Sequence, residues 1–288
     1  MLLSTPRLLV FATLFSSAVC TFAETAAPAV AAKPKPAPKI IPPDINGYKT
    51  IIPPPENPAP VKVAIYRGSG APDGSVENVK RRVDSIPGAT VTVLAAEEVG
   101  STDLKAFDVV VFPGGAARSQ AKAIGEAGLK NVREYVRNGG GYVGICAGAY
   151  LACSNFDWSL QLLNASTVSP KWARGSGYLD MELTPDGRGL LGNASGTFKV
   201  RYNNGPVFKP GDKPELPTYT PLAFFRSEVA ENGTPVGVMV NSPAQAIGTF
   251  GQGRVFISSP HPENTPGLEH LIPRGILWAA GKTGTPTP

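Results

Sequence analysis

Asn138-Gly-Gly-Gly-Tyr-Val-Gly-Ile-Cys-Ala-Gly-Ala-Tyr150 sets a short apolar run, residues 142–145, behind a cluster of glycines. Such a run bounded by glycine reads as a buried strand, and Ala149-Tyr-Leu-Ala152 directly after it reads as the start of a helix. Cys146 stands at the junction, with Gly144 and Gly148 two residues to either side. A tight strand-to-helix turn needs that spacing, because it brings the flanking backbones into contact and leaves no room for side chains there.

The same alternation extends in both directions. Val61-Lys-Val-Ala-Ile-Tyr66 is a strand handing over to Arg67-Gly-Ser-Gly70, and Val76, Val79 and Val83 recur at helical spacing behind Asp73 and Ser75 as capping residues. Residues 89–94 form a second strand and residues 108–112 a third, stopped by Pro113-Gly-Gly115; Leu129, Val132 and Val136 mark a helix closed by Gly139. Branched apolar runs alternating with helices predict an α/β domain of three layers, a mostly parallel sheet with helices on both faces. Residues 154–240 are richer in Gly and Pro, with strands expected at 179–183, 197–202 and 222–225, and read as a β-rich insertion. A hairpin follows at 244–250 and 254–257, then a closing helix through Leu268, Leu271, Ile272 and Ile276 that Pro273 should kink or split. Ligands of such sheets bind beyond the carboxyl ends of the strands, so the loops after Tyr66, Phe112 and Ile145 should meet in one crevice.

The ends of the 288-residue chain read differently. Residues 1–23 carry Arg7, then a mainly apolar stretch at 8–19 and small residues up to Ala23, the pattern of a signal peptide cleaved after Ala23. Twelve residues are too few for a membrane span, which takes about twenty. Cys20 leaves a lipoprotein site open, although Val19 stands where a small residue is expected. Residues 24–60 hold eleven prolines and should be an extended linker, giving access to an envelope partner; residues 61–282 are the domain and 283–288 a tail. The expected location is therefore exported, periplasmic or secreted.

Composition limits the function classes. Hydrophobic residues make 42 % of the chain, which excludes a wholly disordered protein. The formal charge is +5, but no five like charges run together, and five basic and three acidic residues lie in 1–60. The remaining domain carries only +3, and nucleic acid is not an expected partner. Two histidines are too few for an ordinary zinc set, and no metal or cofactor is expected.

Two features carry chemistry. An elbow lifts the Cys146 sulfur clear of the sheet, the helix N-terminus behind it favours the thiolate, and the N–H of Ala147 with that of Gly114 or Gly115 can hold an oxyanion. On the motif alone, a buried structural cysteine remains the alternative. Ser259-Pro-His261-Pro-Glu263 changes the balance: in an extended segment Glu263 lies on the side of His261 and can accept one ring N–H, leaving the other nitrogen for Cys146. His270, beside Glu269, has no comparable setting. Cys153, seven residues from Cys146, would be about 10 Å away along one helix. That is beyond disulfide reach, and Cys153 reads as a core residue.

Phe112-Pro-Gly-Gly115, the stretch Asn138 to Tyr150, Arg201-Tyr-Asn-Asn-Gly205 and Gly253-Arg-Val-Phe-Ile-Ser-Ser-Pro-His-Pro-Glu263 together resemble the class I glutamine amidotransferase-like superfamily. The likeness is greatest to the amidotransferase-like N-terminal domain of biotin-protein ligases and spans about residues 61–281. It implies a flavodoxin-like sheet, with Cys146 as nucleophile, His261 as general base and acid, Glu263 as its orienting group and Gly114-Gly115 as the oxyanion loop. Tyr150 and Tyr202-Asn203-Asn204 resemble positions near the crevice and receive no chemical role. The sequence shows no synthase domain, ligase domain or nucleotide loop, so the expected reaction is hydrolysis of a small amide or related acyl compound through an acyl-thioester. The rival expectation is a binding or scaffolding protein that kept the fold.

Overall fold

The computed structural model describes residues 45–47, 49–169 and 173–283. The strands are β1 (Lys62–Arg67), β2 (Thr90–Ala95), β3 (Val109–Phe112), β4 (Gly141–Ile145), β5 (Ala165–Thr167) and β6 (Ser176–Leu183), then β7 (Thr197–Asn203), β8 (Phe208–Pro210), β9 (Thr220–Phe225), β10 (Pro243–Phe250) and β11 (Gly253–Ser258). The helices are α1 (Asp73–Asp84), α2 (Ala117–Arg137), α3 (Ala147–Ala152), α4 (Pro185–Leu191) and α5 (Leu271–Ala279).

Nine strands form one sheet in the order β2-β1-β3-β4-β11-β10-β9-β6-β7. From β2 to β11 every pairing is parallel; from β11 to β7 every pairing is antiparallel. The residues explain the division. β3 and β4 are buried at every position, as a strand covered on both faces must be, whereas β2 and β7, at the two edges, alternate between core and solvent. Helices α1, α5 and α4 pack side by side on one face, and α2 and α3 pack together over β3, β4 and β11 on the other. Tyr66, Phe112 and Tyr142 stack through the centre with ring centroids 5.1 and 5.8 Å apart. The buried hydroxyls at the ends of that stack donate to Ser69 O and Gly148 O, so neither leaves an unpaired polar group in the core.

The β-rich second half belongs to the same domain, as expected: β6, β7 and β9 extend the main sheet, and among the described strands β5 and β8 pair apart from it. Several other local expectations are corrected. Pro72 caps α1 without a side-chain bond, and Asp73 lies in its first turn. Helix α2 begins twelve residues before Leu129 and crosses a non-helical Gly125. Pro273 neither kinks nor splits α5, because the helix starts at Leu271 and proline in a first turn gives up an N–H that has no helical acceptor. The linker also ends sooner than residue 60. Ile51 and Ile52 donate to Gly267 O, Asn46 bonds Lys199 and Pro266, Arg274 reaches the carbonyls of Pro53 and Pro54, and Ile52 is fully buried. The signal peptide, Cys20, the first part of the linker and the tail after Thr283 lie outside the described residues. Among the described residues no helix is long and apolar enough to cross a membrane.

Candidate active site

Cys146 sits between β4 and α3 with φ 50° and ψ −97°, a left-handed conformation that costs a residue with a side chain about 1–3 kcal/mol. Its neighbours show what holds it there. A Cβ on Gly144 would meet Gly148 O at 2.4 Å, and one on Gly148 would meet Phe112 O at 2.1 Å. The Cys146 N–H donates to Ser258 O at the end of β11, the strand that leads to His261. Helix α3 has only six residues, so its dipole is weak; its useful contribution is the Ala147 N–H at the first helical position, which has no acceptor inside the helix.

Opposite the elbow lies the Gly114-Gly115 loop. Gly115 has φ 147°, and a Cβ there would strike Gly70 O at 1.9 Å; a Cβ on Gly114 would meet the His261 ring at 2.5 Å. Only glycine fits at either position. Gln120, which sequence reasoning missed, ties this loop to the preceding one: its buried amide donates to Gly70 O and Pro113 O. A lone glutamine on an amphipathic helix gives no signal of that role.

His261 Nδ1 lies 2.7 Å from Glu263 Oε1, with the Glu263 side chain only 1 % exposed. The contact is the expected one, but the local backbone differs: residues 262–264 form a 3-10 turn with proline at its first position, and the turn rather than extended chain carries the carboxylate to the ring. The His261 N–H donates to Arg201 O on β7, and Thr265 Oγ1 accepts from the Arg201 N–H and donates to His261 O. His261 Nε2 is buried with no well-aligned partner. Burial alone would lower the imidazole pKa; the Glu263 carboxylate first, and then Cys146 by charge and hydrogen bond, outweigh it and raise the pKa to about 10. The Cys146 thiol itself points to Asn203 O at 3.5 Å.

The expected loops do converge. Gly114, Gly115, Cys146, His261 and Glu263 line one crevice of about 570 Å³, joined by Arg81 and Arg201 at its edge. Ala147 is buried directly behind it. Cys153 is fully buried, its thiol pushed up to about 12 by burial, and both described cysteines are free. No group of three or more metal-ligating side chains occurs among the described residues.

A cysteine on a strained elbow at the carboxyl edge of a parallel sheet, in one crevice with a His–Glu pair, is carried on a fold that resembles that of glutamine amidotransferases. Residues 61–171 match the family described as biotin-protein ligase, N terminal. That match takes in β1 to β4 and Cys146 and ends before His261. An uncharacterized protein of Chlamydia muridarum is 29 % identical over 184 residues, covering 59 % of this chain; the alignment spans 66 % of that relative's length. Among solved structures, PurLQS from Thermotoga maritima superposes with a TM-score of 0.56 at 13 % identity, over 76 % of this chain and 99 % of that one. A glutamine amidotransferase gives 0.51 at 22 % identity, over 76 % and 98 %. At those identities the likeness is one of fold.

Proposed function

We propose that this chain is an exported hydrolase of a small amide or related acyl compound, with Cys146 as nucleophile. The observation that carries the reading is the His261–Glu263 pair, its Nε2 not taken by any other well-aligned partner, in the same crevice as Cys146. The Cys146 sulfur attacks the carbonyl carbon while His261 takes the thiol proton; the N–H groups of Ala147 and of Gly114 or Gly115 receive the oxyanion. His261 then protonates the leaving amine, and a water deprotonated by the same ring cleaves the thioester to release the acid. Glu263 holds the ring and stabilises its charged form. Residues 1–23 direct export, and an envelope partner is engaged through the proline-rich stretch that follows.

The test is a screen of small amides, glutamine included, against the wild type and Cys146→Ala. Turnover that disappears in the variant is the expected result. In parallel, an amide-mimicking electrophile should add to Cys146 and leave Cys153 untouched; equal labelling of the two, or none at Cys146, sinks the assignment. A non-catalytic binding protein is the second reading, favoured by a Cys146 residue only 5 % exposed, with its thiol engaged with Asn203 O. Ligand binding in the absence of any turnover would select it.

A further inference from the structure

A second hollow, about 380 Å³, opens on the far side of the same saddle: Gly115 and Asn204 line both it and the Cys146 crevice. Its other walls include Tyr150, Phe156, Trp158 and Arg118. The three aromatic side chains are half-buried, and their rings form a continuous series, Tyr150 to Phe156 at 6.1 Å and Phe156 stacked on Trp158 at 4.6 Å. Half-exposed aromatic rings in contact with one another along the wall of a hollow beside the Cys146 crevice are poorly explained by core packing, which would have covered them.

The platform is fixed in place. Tyr150 belongs to α3, one turn after Cys146, whose carbonyl accepts the Tyr150 N–H, and its hydroxyl donates to Asn204 O. Phe156 O accepts from Ser159 Oγ and from Gln161 Nε2, Ser159 Oγ also bonds Cys153 O, and Arg133 reaches Gln161 O. A surface held this way loses little conformational freedom when a ligand arrives. Among the described residues the lining contains no carboxylate, and Arg118 is exposed and without an ion pair. A cage for a cation is thereby disfavoured, and a neutral or anionic ring is suited.

We infer that this hollow is the specificity subsite, and that the substrate is an amide bearing an aromatic or similarly flat ring on the arm that crosses the Gly115–Asn204 saddle. The inference rests on the reading of Cys146 as nucleophile. N-benzyl and N-methyl chloroacetamide form a matched test pair: the Cys146 thiolate displaces chloride from either, forming a C–S bond, and intact-protein mass spectrometry reads the rate. The benzyl reagent should modify Cys146 at least about tenfold faster, since even one buried methylene can discriminate by that much. In Trp158→Ala and Trp158→Leu the ratio should fall below about threefold. The two variants guard against a packing artefact, and thermal melting establishes that each is folded. A wild-type ratio near one, or a ratio unchanged in both folded variants, overturns the subsite while leaving the nucleophile standing. If neither reagent modifies Cys146, the nucleophile reading fails. Calorimetric titration of Cys146→Ala with N-benzylacetamide then decides: heat of binding that is lost on adding Trp158→Ala supports the subsite, and no binding overturns it.

Discussion

At the scale of single residues, the proposed chemistry depends on two contacts with different tolerance. The elbow has almost none. Gly148→Ala forces a methyl group against Phe112 O and should cost about 1–3 kcal/mol or more, read as a drop in melting temperature. The His261–Glu263 contact is instead a matter of protonation. Because the folded pKa of His261 lies above the ordinary value near 6.5, the pair contributes fully to stability below that pH and loses its contribution as the pH climbs toward about 10. Glu263→Gln removes the largest raising influence and leaves burial, which lowers, opposed by Cys146 alone. The His261 ring should then titrate at lower pH in an NMR titration, and amide turnover should fall; an unchanged titration would remove Glu263 from its role. His261→Ala should cost about 10²–10⁴-fold in turnover. These residues were legible because glycines two to either side of a cysteine, and a histidine two from a glutamate, are short-range patterns. Gln120, Arg81 and Arg201 were not, since their roles come from loops and strands far apart in sequence meeting at one edge.

At the scale of elements, strands β1, β3 and β4 could be read nearly to the residue because buried parallel strands are continuous apolar runs, and β2 because its valines alternate with threonines at the sheet edge. The first half of α2 escaped: Ala117-Arg-Ser-Gln120 shows little apolar periodicity, and Gly125 interrupts the helix. The proline-rich run misled in a more useful way. Its composition predicts an extended spacer but says nothing of what the chain touches, and Asn46 and residues 51–54 are fastened to α5, β7 and the loop around Gly267. Ile52→Ala should therefore lower stability by about 2–5 kcal/mol, like a core truncation and unlike a linker change. A melting temperature equal to that of the wild type would return this stretch to the status of a spacer.

At the scale of the molecule, the sheet changes character at β11, and the site lies where it does. The parallel half supplies Cys146 and the glycine loops; the antiparallel half, through β7, supplies Arg201, Asn203 and Asn204 to the opposite wall. Sequence alone showed a β-rich second half but not that it would continue the sheet, because antiparallel pairing across long loops leaves no local periodic mark. The strand order has a further consequence during biosynthesis. β4 is flanked by β3 and by β11, and β11 leaves the ribosome long after β4, with β5 to β10 between them in the chain. Until it arrives, Cys146 has neither its partner strand nor His261 to shelter it, and Cys153 is seven residues away on an unfolded chain. In an oxidising compartment the two sulfurs can then join in a bond that the finished helix does not permit, so refolding with oxidant present should trap an inactive species 2 Da lighter, and refolding with reductant should not.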